Sequence, residues 1–275
     1  MRIRMDLAYE GTDFHGWADQ PGLRTVQGTL EAALATLLRV PGVAVVCAGR
    51  TDTGVHARGQ VTHLDVDGDR LAHAAGRSSQ PIPEALLPRL NGILPPDIRV
   101  RRVVTAADGF DARFSALWRR YCYRVADGPE ALDPLARRHV LAWPRPLDVD
   151  AMNQASAALL GEHDFASFCK QREGATTIRT LLELGWARAD DGLALATVRA
   201  DAFCHSMVRS LVGCLLAVGE GRRPVPWAAE ILQAAVRDPA VTVVQAHGLT
   251  LEEVCYPPED ELAARAVLTR ARRDA

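Results

Sequence analysis

Two arginines, Arg50 and Arg58, bracket an aspartate in the stretch GRTDTGVHARGQ (49–60). Out of context, Asp52-Thr53-Gly54 suggests an acid protease, in which two carboxylates share one proton because like charges at close range cannot both ionise. A neighbouring arginine does the opposite and keeps Asp52 ionised. The residues ahead of the triplet, Ala48, Gly49, Arg50 and Thr51, are also not the apolar strand expected of such a protease. By itself the triplet fits a plain turn, since its side chains bond locally and its glycine accepts positive φ. With His56 and Gln60 close by, the cluster also offers donors to a phosphate or a base edge around an ionised carboxylate.

A second cluster, FDARFSALWRRYCYRV (110–125), interleaves Arg113, Arg119, Arg120 and Arg124 with Phe114, Trp118, Tyr121 and Tyr123. Arginines for phosphates and aromatic rings for stacking make the composition of a surface for loop or single-stranded RNA. Strand periodicity puts Arg119, Tyr121 and Tyr123 on one face and Trp118, Arg120 and Arg124 on the other. The same pattern also describes a two-sided strand with arginine stems lying along apolar surface. A third feature is Arg209 in AFCHSMVRSLVGCLLAVG, where apolar residues cover most of a helix and His205, Ser206, Arg209 and Gly213 form a narrow polar stripe. A guanidinium in that setting needs an anion. Asp52 is the candidate, with Asp201 or a bound phosphate as alternatives.

Other chemistries are not indicated. DVDGD (65–69) resembles a calcium loop, but its glycine comes too early and position 76 is Gly where a bidentate Glu belongs. The eight histidines form no H-E-x-x-H, and no G-x-x-x-x-G-K-[ST] occurs. No metal or nucleotide cofactor is expected. The formal net charge of −2 gives no overall basic excess, so an anionic partner must be met by local patches. Six cysteines without a C-x-x-C pair, several in apolar runs, read as buried free thiols. The N-terminal stretch lacks a signal-peptide core, and the longest apolar run, SLVGCLLAVG, is too short to span a bilayer. The expected location is the cytoplasm, with no membrane partner.

The elements that must position these residues follow from periodicity. MRIRMDLAYEG alternates as a strand, and TVQGTLEAALATLLRV carries Val26, Leu30, Leu34, Leu37 and Leu38 at helical spacing behind a Thr25 cap. VAVVCA (43–48) and QVTHLDV (60–66) read as strands, which leaves Asp52 on the loop between them. A helix at about 84–93 containing Pro88, a solvated loop HAAGRSSQP and a strand DIRVRRVV follow. In the second half LWRRYCYRV (117–125) is a strand, 148–161 a helix, 181–188 and 193–200 a hairpin across Asp190-Asp191-Gly192, and 204–219 a helix. Each half thus runs β-α-β-β-α. The expected fold is α+β, two ferredoxin-like halves with largely antiparallel sheets flanked by helices and a cleft between them. The expected domains are 1–105 with the Asp52 loop, 106–258 with Tyr121 and Arg209, and a peripheral or frayed tail at 259–275.

Together the motifs YEGTDFHGW, TVQGTLEAAL, AGRTDTGVHARGQVTHLD, LNGILPPDIRV, FDARFSALWRRYCYRV, GEHDFASFC, MVRSLVGCLLAVGEG and HGLTLEEVCYP resemble the tRNA pseudouridine synthase A family, in the family's order from Tyr9 to Pro257. The resemblance implies an isomerase that acts without a cofactor on uridines 38 to 40 of the tRNA anticodon stem-loop, a homodimer, and two ferredoxin-like halves joined in one continuous sheet. It implies that Asp52 is the catalytic aspartate, that Arg50 holds the flipped base out of the stack, that Tyr121 stacks on the uracil and that Arg209 pairs with the aspartate. Arg58, Arg119 and Arg120 are the further candidates for RNA contact. The chain departs from the family pattern at Ala18, in the longer segment 68–83, and in lacking a proline before Gly248-Leu249. The competing reading is a non-catalytic RNA-binding protein or tRNA chaperone, which would use the same arginines and aromatics but has no use for an anion on its RNA surface.

Overall fold

The computed structural model describes residues 1–76, 78–170 and 176–274. Two units divide the chain, one of Met1–Leu117 with Leu251–Ala275 and the other of Trp118–Thr250. In the first unit β1 (Arg2–Tyr9) buries Ile3, Met5, Leu7 and Tyr9 and leaves Arg2, Arg4 and Asp6 half exposed on its other face. α1 (Val26–Leu38) begins where the Thr25 hydroxyl accepts the Gly28 N–H at 3.2 Å, and packs Val26, Leu30, Leu34 and Leu38 into the core.

Of the strand expected at 43–48 only β2 (Val46–Cys47) forms, because the Val45 N–H is taken by the Glu31 carboxylate at 2.9 Å rather than by a ladder partner. β3 (His56–Asp65) begins four residues before the expected start, immediately after the Asp52 loop. α2 (Gly68–Ala75) replaces the first part of the expected solvated loop. Asp67 caps it by accepting the Asp69 and Arg70 N–H groups, and Leu71, Ala74 and Ala75 are buried. α3 (Ile82–Ile93) runs through Pro88, and its Asn91 amide bonds both backbone groups of Val100 in β4 (Ile98–Thr105). β1 lies antiparallel between β4 and β3, with β2 on the far part of β3.

The second unit orders its strands β5-β9-β8-β7: β5 (Trp118–Ala126), β7 (Gly161–Asp164), β8 (Ile178–Arg188) and β9 (Ala194–Ala200), antiparallel throughout, with β6 (Leu141–Ala142) parallel to the end of β5. α4 (Val149–Ala157), α5 (Met207–Gly219) and α6 (Trp227–Ala234) complete it. β6 and β7 are too short to carry a readable period, and neither they nor α6 is foreseen in the sequence. Every residue of α5 is buried except Arg209. Cys169 and Cys204 form a disulfide with Cα atoms 5.7 Å apart, which corrects the expectation of free thiols throughout. Cys214 fits that expectation, its thiol pushed up to about 12 by burial and then by Asp238.

Asp127 in this unit, 4% exposed, accepts from Arg188 Nη2 at 2.6 Å and from the Leu147 N–H at 2.7 Å. The hydrogen bond from Arg188 holds its carboxyl below the ordinary 3.8, outweighing the opposite effect of burial. A depressed folded pKa contributes stability above the unfolded value that is lost as the pH falls through the folded one. Asp127→Asn is therefore expected to lower stability by about 2 kcal/mol at neutral pH. Thermal unfolding of both proteins at about pH 7 and about pH 2.5 checks this, since the difference must shrink in acid.

After β10 (Leu249–Cys255) the chain is back in the first unit, where β10 lies beside β3. α7 (Leu262–Asp274) then closes on the segment before β5: Arg270 pairs with Asp111 at 2.7 Å, and the Ser115 hydroxyl donates to the Leu262 carbonyl at 3.1 Å. Of the two expectations for the tail, a peripheral helix or a frayed end, the chain forms the helix, and residues 107–117 and that helix hold each other within the first unit.

Candidate active site

The loop bearing Asp52 is held from several sides within the first unit. Thr51 Oγ1 is 2.8 Å from the Tyr9 hydroxyl, and its carbonyl accepts the Trp17 N–H at 3.0 Å. The Gln60 amide donates to the Gly49 carbonyl at 2.8 Å. Past the aspartate, the Asp52 carbonyl accepts the Val55 N–H at 3.1 Å, closing a turn in which Gly54 has φ +79°. Two glycines of the preceding loop make this seating possible. A Cβ on Gly11 would lie 2.1 Å from the Val55 carbonyl oxygen, and one on Gly16 would lie 3.0 Å from that of Thr51. The motifs YEGTDFHGW and GRTDTGVHARGQ are therefore two halves of one clamp, and Asp52 emerges from it half buried.

His56 and Gln60, read from sequence as donors to RNA, serve that clamp instead. His56 is buried and its Nδ1 accepts the Gly11 N–H at 2.8 Å, while Gln60 is 0% exposed. Arg50 and Arg58 do face solvent. Arg58 pairs with Glu252 at 3.2 Å with half of its side chain exposed.

In the second unit Tyr121 lies on β5, 7% exposed, with the Phe203 ring edge-on at 5.1 Å and 90°. Tyr123 is a core residue: its hydroxyl donates to the Gln245 carbonyl at 2.7 Å, and its ring stands where a Gly248 Cβ would be, 2.6 Å away. Burial raises its hydroxyl pKa well above the ordinary tyrosine value. The alternation of β5 is as expected, but the Arg119 face turns inward. Arg119 is 5% exposed and donates to the Asp201 carbonyl at 2.7 Å, so it anchors the segment leading to Phe203 where a contact to RNA phosphate was expected. Arg120 remains half exposed on the opposite face. Arg209, in the first turn of α5, donates through Nε to the Val244 carbonyl at 2.7 Å.

Sequence reasoning missed Tyr9, Gly11, Gly16 and Phe203 as supporting residues. The only available signal was that a loop with three glycines precedes the first helix, and nothing local says what those glycines approach. Among the described residues no group of three or more His, Cys, Asp and Glu side chains is placed to hold a metal ion, and no helix is long and apolar enough to cross a membrane.

Residues 155–257 match the family described as tRNA pseudouridine synthase. Over almost the whole chain the sequence is similar to curated proteins named tRNA pseudouridine synthase A. One from Frankia casuarinae is 57% identical over 273 residues, 99% of this chain and 96% of that one. Another from Streptomyces griseus is 57% identical over 98% of this chain and 93% of its own, and one from Mycobacterium leprae is 53% identical over 99% and 96%.

Proposed function

The chain belongs to the tRNA pseudouridine synthase A family, isomerases that convert uridine to pseudouridine in tRNA, and from that premise we propose that Asp52 is its catalytic carboxylate. The reaction breaks the bond from C1′ to N1, turns the uracil and joins C1′ to C5, whose hydrogen leaves as a proton while N1 takes one up. No atom is added and no redox equivalent is needed. A carboxylate serves it by adding to C1′ or by removing the 2′ proton to give a glycal, and both routes need Asp52 ionised. Arg209 is the cation that pairs with it, Tyr121 the plate on which the flipped uracil stacks, and Arg50 the residue that keeps the base out of the helix.

The observation that carries this reading is the rigid seating of a half-buried aspartate in a loop clamped by the Tyr9–Trp17 segment, in a chain with full-length identity to the family. The first unit's element order β1-α1-β2-β3-α2-α3-β4, with β1 between β4 and β3 and β2 paired off the main path with β3, supports the ferredoxin-like reading of that half. The target uridines are those at positions 38 to 40 of the anticodon stem-loop, and the enzyme works in the cytoplasm as a homodimer. Primer extension on carbodiimide-treated tRNA tests the positions: stops should appear one nucleotide 3′ of 38, 39 or 40 after incubation, and stops elsewhere would reassign the substrate site.

Arg120 contributes to RNA binding from the exposed face of β5, whereas Arg119 acts by anchoring the strand. Arg120→Ala is expected to weaken tRNA binding and reduce the slope of log K against log salt by about 0.7 to 0.9. Arg119→Ala should chiefly lower the thermal midpoint. Binding titrations over a salt series, with melting curves for both variants, separate the two roles.

A further inference from the structure

The edge strand of the first unit carries cations that no described carboxylate neutralises. β4 exposes Arg99, Arg101 and Arg102. Its register against β1 shifts between Asp6 and Leu7, with Asp6 opposite Arg102 and Leu7 opposite Val100, so Arg101 is the additional residue at this bulge. Arg99 lies opposite Ala8. Arg101 reaches across to the Arg58 carbonyl on β3 at 3.1 Å. The nearby acids are engaged elsewhere: Asp6 with Arg4 at 2.8 Å, Glu252 with Arg58 at 3.2 Å and Asp97 with Arg24 at 2.8 Å. Among the described residues Arg99, Arg101 and Arg102 form no ion pair.

The Arg99 end of this cluster neighbours the strand end that meets the Asp52 loop. Tyr9, whose hydroxyl meets Thr51, is opposite Ile98 on β4 and Ala57 on β3, the residues next to Arg99 and Arg58. We propose that Arg99, Arg101 and Arg102 form a phosphate-binding edge that grips the tRNA backbone beside the uridine presented to Asp52. The inference rests on the tRNA reading above and adds residues to it. Its charge suits a polyanion, and its run along β4 away from the Ile98–Tyr9 pair suits the nucleotides flanking the target. A basic edge strand also discourages edge-to-edge pairing between sheets, and that role alone would give no dependence of RNA binding on these side chains.

The test is equilibrium binding of unmodified tRNA over a salt series by wild type, Arg99→Gln/Arg102→Gln and Arg99→Lys/Arg102→Lys, with melting curves to establish that each variant is folded. Two lost phosphate contacts should reduce the salt slope by about 1.4 to 1.8 and weaken affinity roughly ten-fold at moderate salt. The lysine variant, which keeps both charges, should restore the slope. A glutamine variant with wild-type slope and affinity, or a lysine variant that fails to restore the slope, would overturn the proposal. Tritium release from tRNA labelled at uridine C5 is measured on the same wild-type preparation. Release alongside an unchanged slope would remove the surface and leave the synthase reading in place, whereas absence of release would remove that reading and this proposal with it.

Discussion

Asp52→Asn should bind tRNA almost as tightly as the wild type and lose at least roughly 10⁴-fold in turnover, because it removes the one group on which both chemical routes depend. The substitution keeps the shape of the side chain. Contacts from Tyr9, Trp17, Val55 and Gln60 seat the loop through its backbone and Thr51. What changes is that an amide carries no negative charge to offer at the sugar. Affinity comes mostly from phosphate contacts elsewhere and should survive. Single-turnover assays with enzyme in excess, together with binding titrations, separate the two effects. A variant that loses both would show that Asp52 acts in holding RNA.

The second large effect is expected at Gly213. Alanine in a helix interior ordinarily stabilises by about 1 kcal/mol relative to glycine. Here a Cβ would lie 1.8 Å from the Thr242 carbonyl oxygen and 2.9 Å from its carbon. Neither atom is the end of a flexible side chain, so α5 and the segment at Thr242 must separate. That movement would also disturb the Arg209 Nε bond to Val244 and the backbone bond from Val244 N–H to the Arg209 carbonyl. Gly213→Ala is expected to destabilise by about 3 kcal/mol, which is roughly 6 to 12 °C in the thermal midpoint. A calorimetric midpoint equal to or above that of wild type would contradict this packing.

Gly213 also marks the limit of what can be read from the chain. The apolar periodicity of α5 was legible, and so was the isolation of Arg209, because helical spacing reports which residues share a face. Gly213 read as part of a polar stripe, since a small residue looks the same whether it lines an opening or admits a neighbouring backbone. The Asp52 loop shows the same division. Its flanking strands and its charged composition were visible locally, whereas its seating on Gly11 and Gly16 depends on contacts between segments some 40 residues apart. Alternation put Arg119 on the correct side of β5 but did not say that this side faces inward. β2 is shorter than its β-branched sequence suggests because one Glu31 carboxylate intercepts a backbone N–H, a tertiary effect that local propensity does not encode.

The most direct test of the central claim is tritium release from tRNA labelled at C5 of uridine, measured for the wild type and for Asp52→Asn. Joining C1′ to C5 expels that hydrogen by either route, so the wild type should release tritium in proportion to the pseudouridine formed and the variant should release none above background. Release by the variant at the wild-type rate would contradict the assignment of Asp52. No release by a folded wild-type protein that still binds tRNA would favour a non-catalytic RNA-binding role.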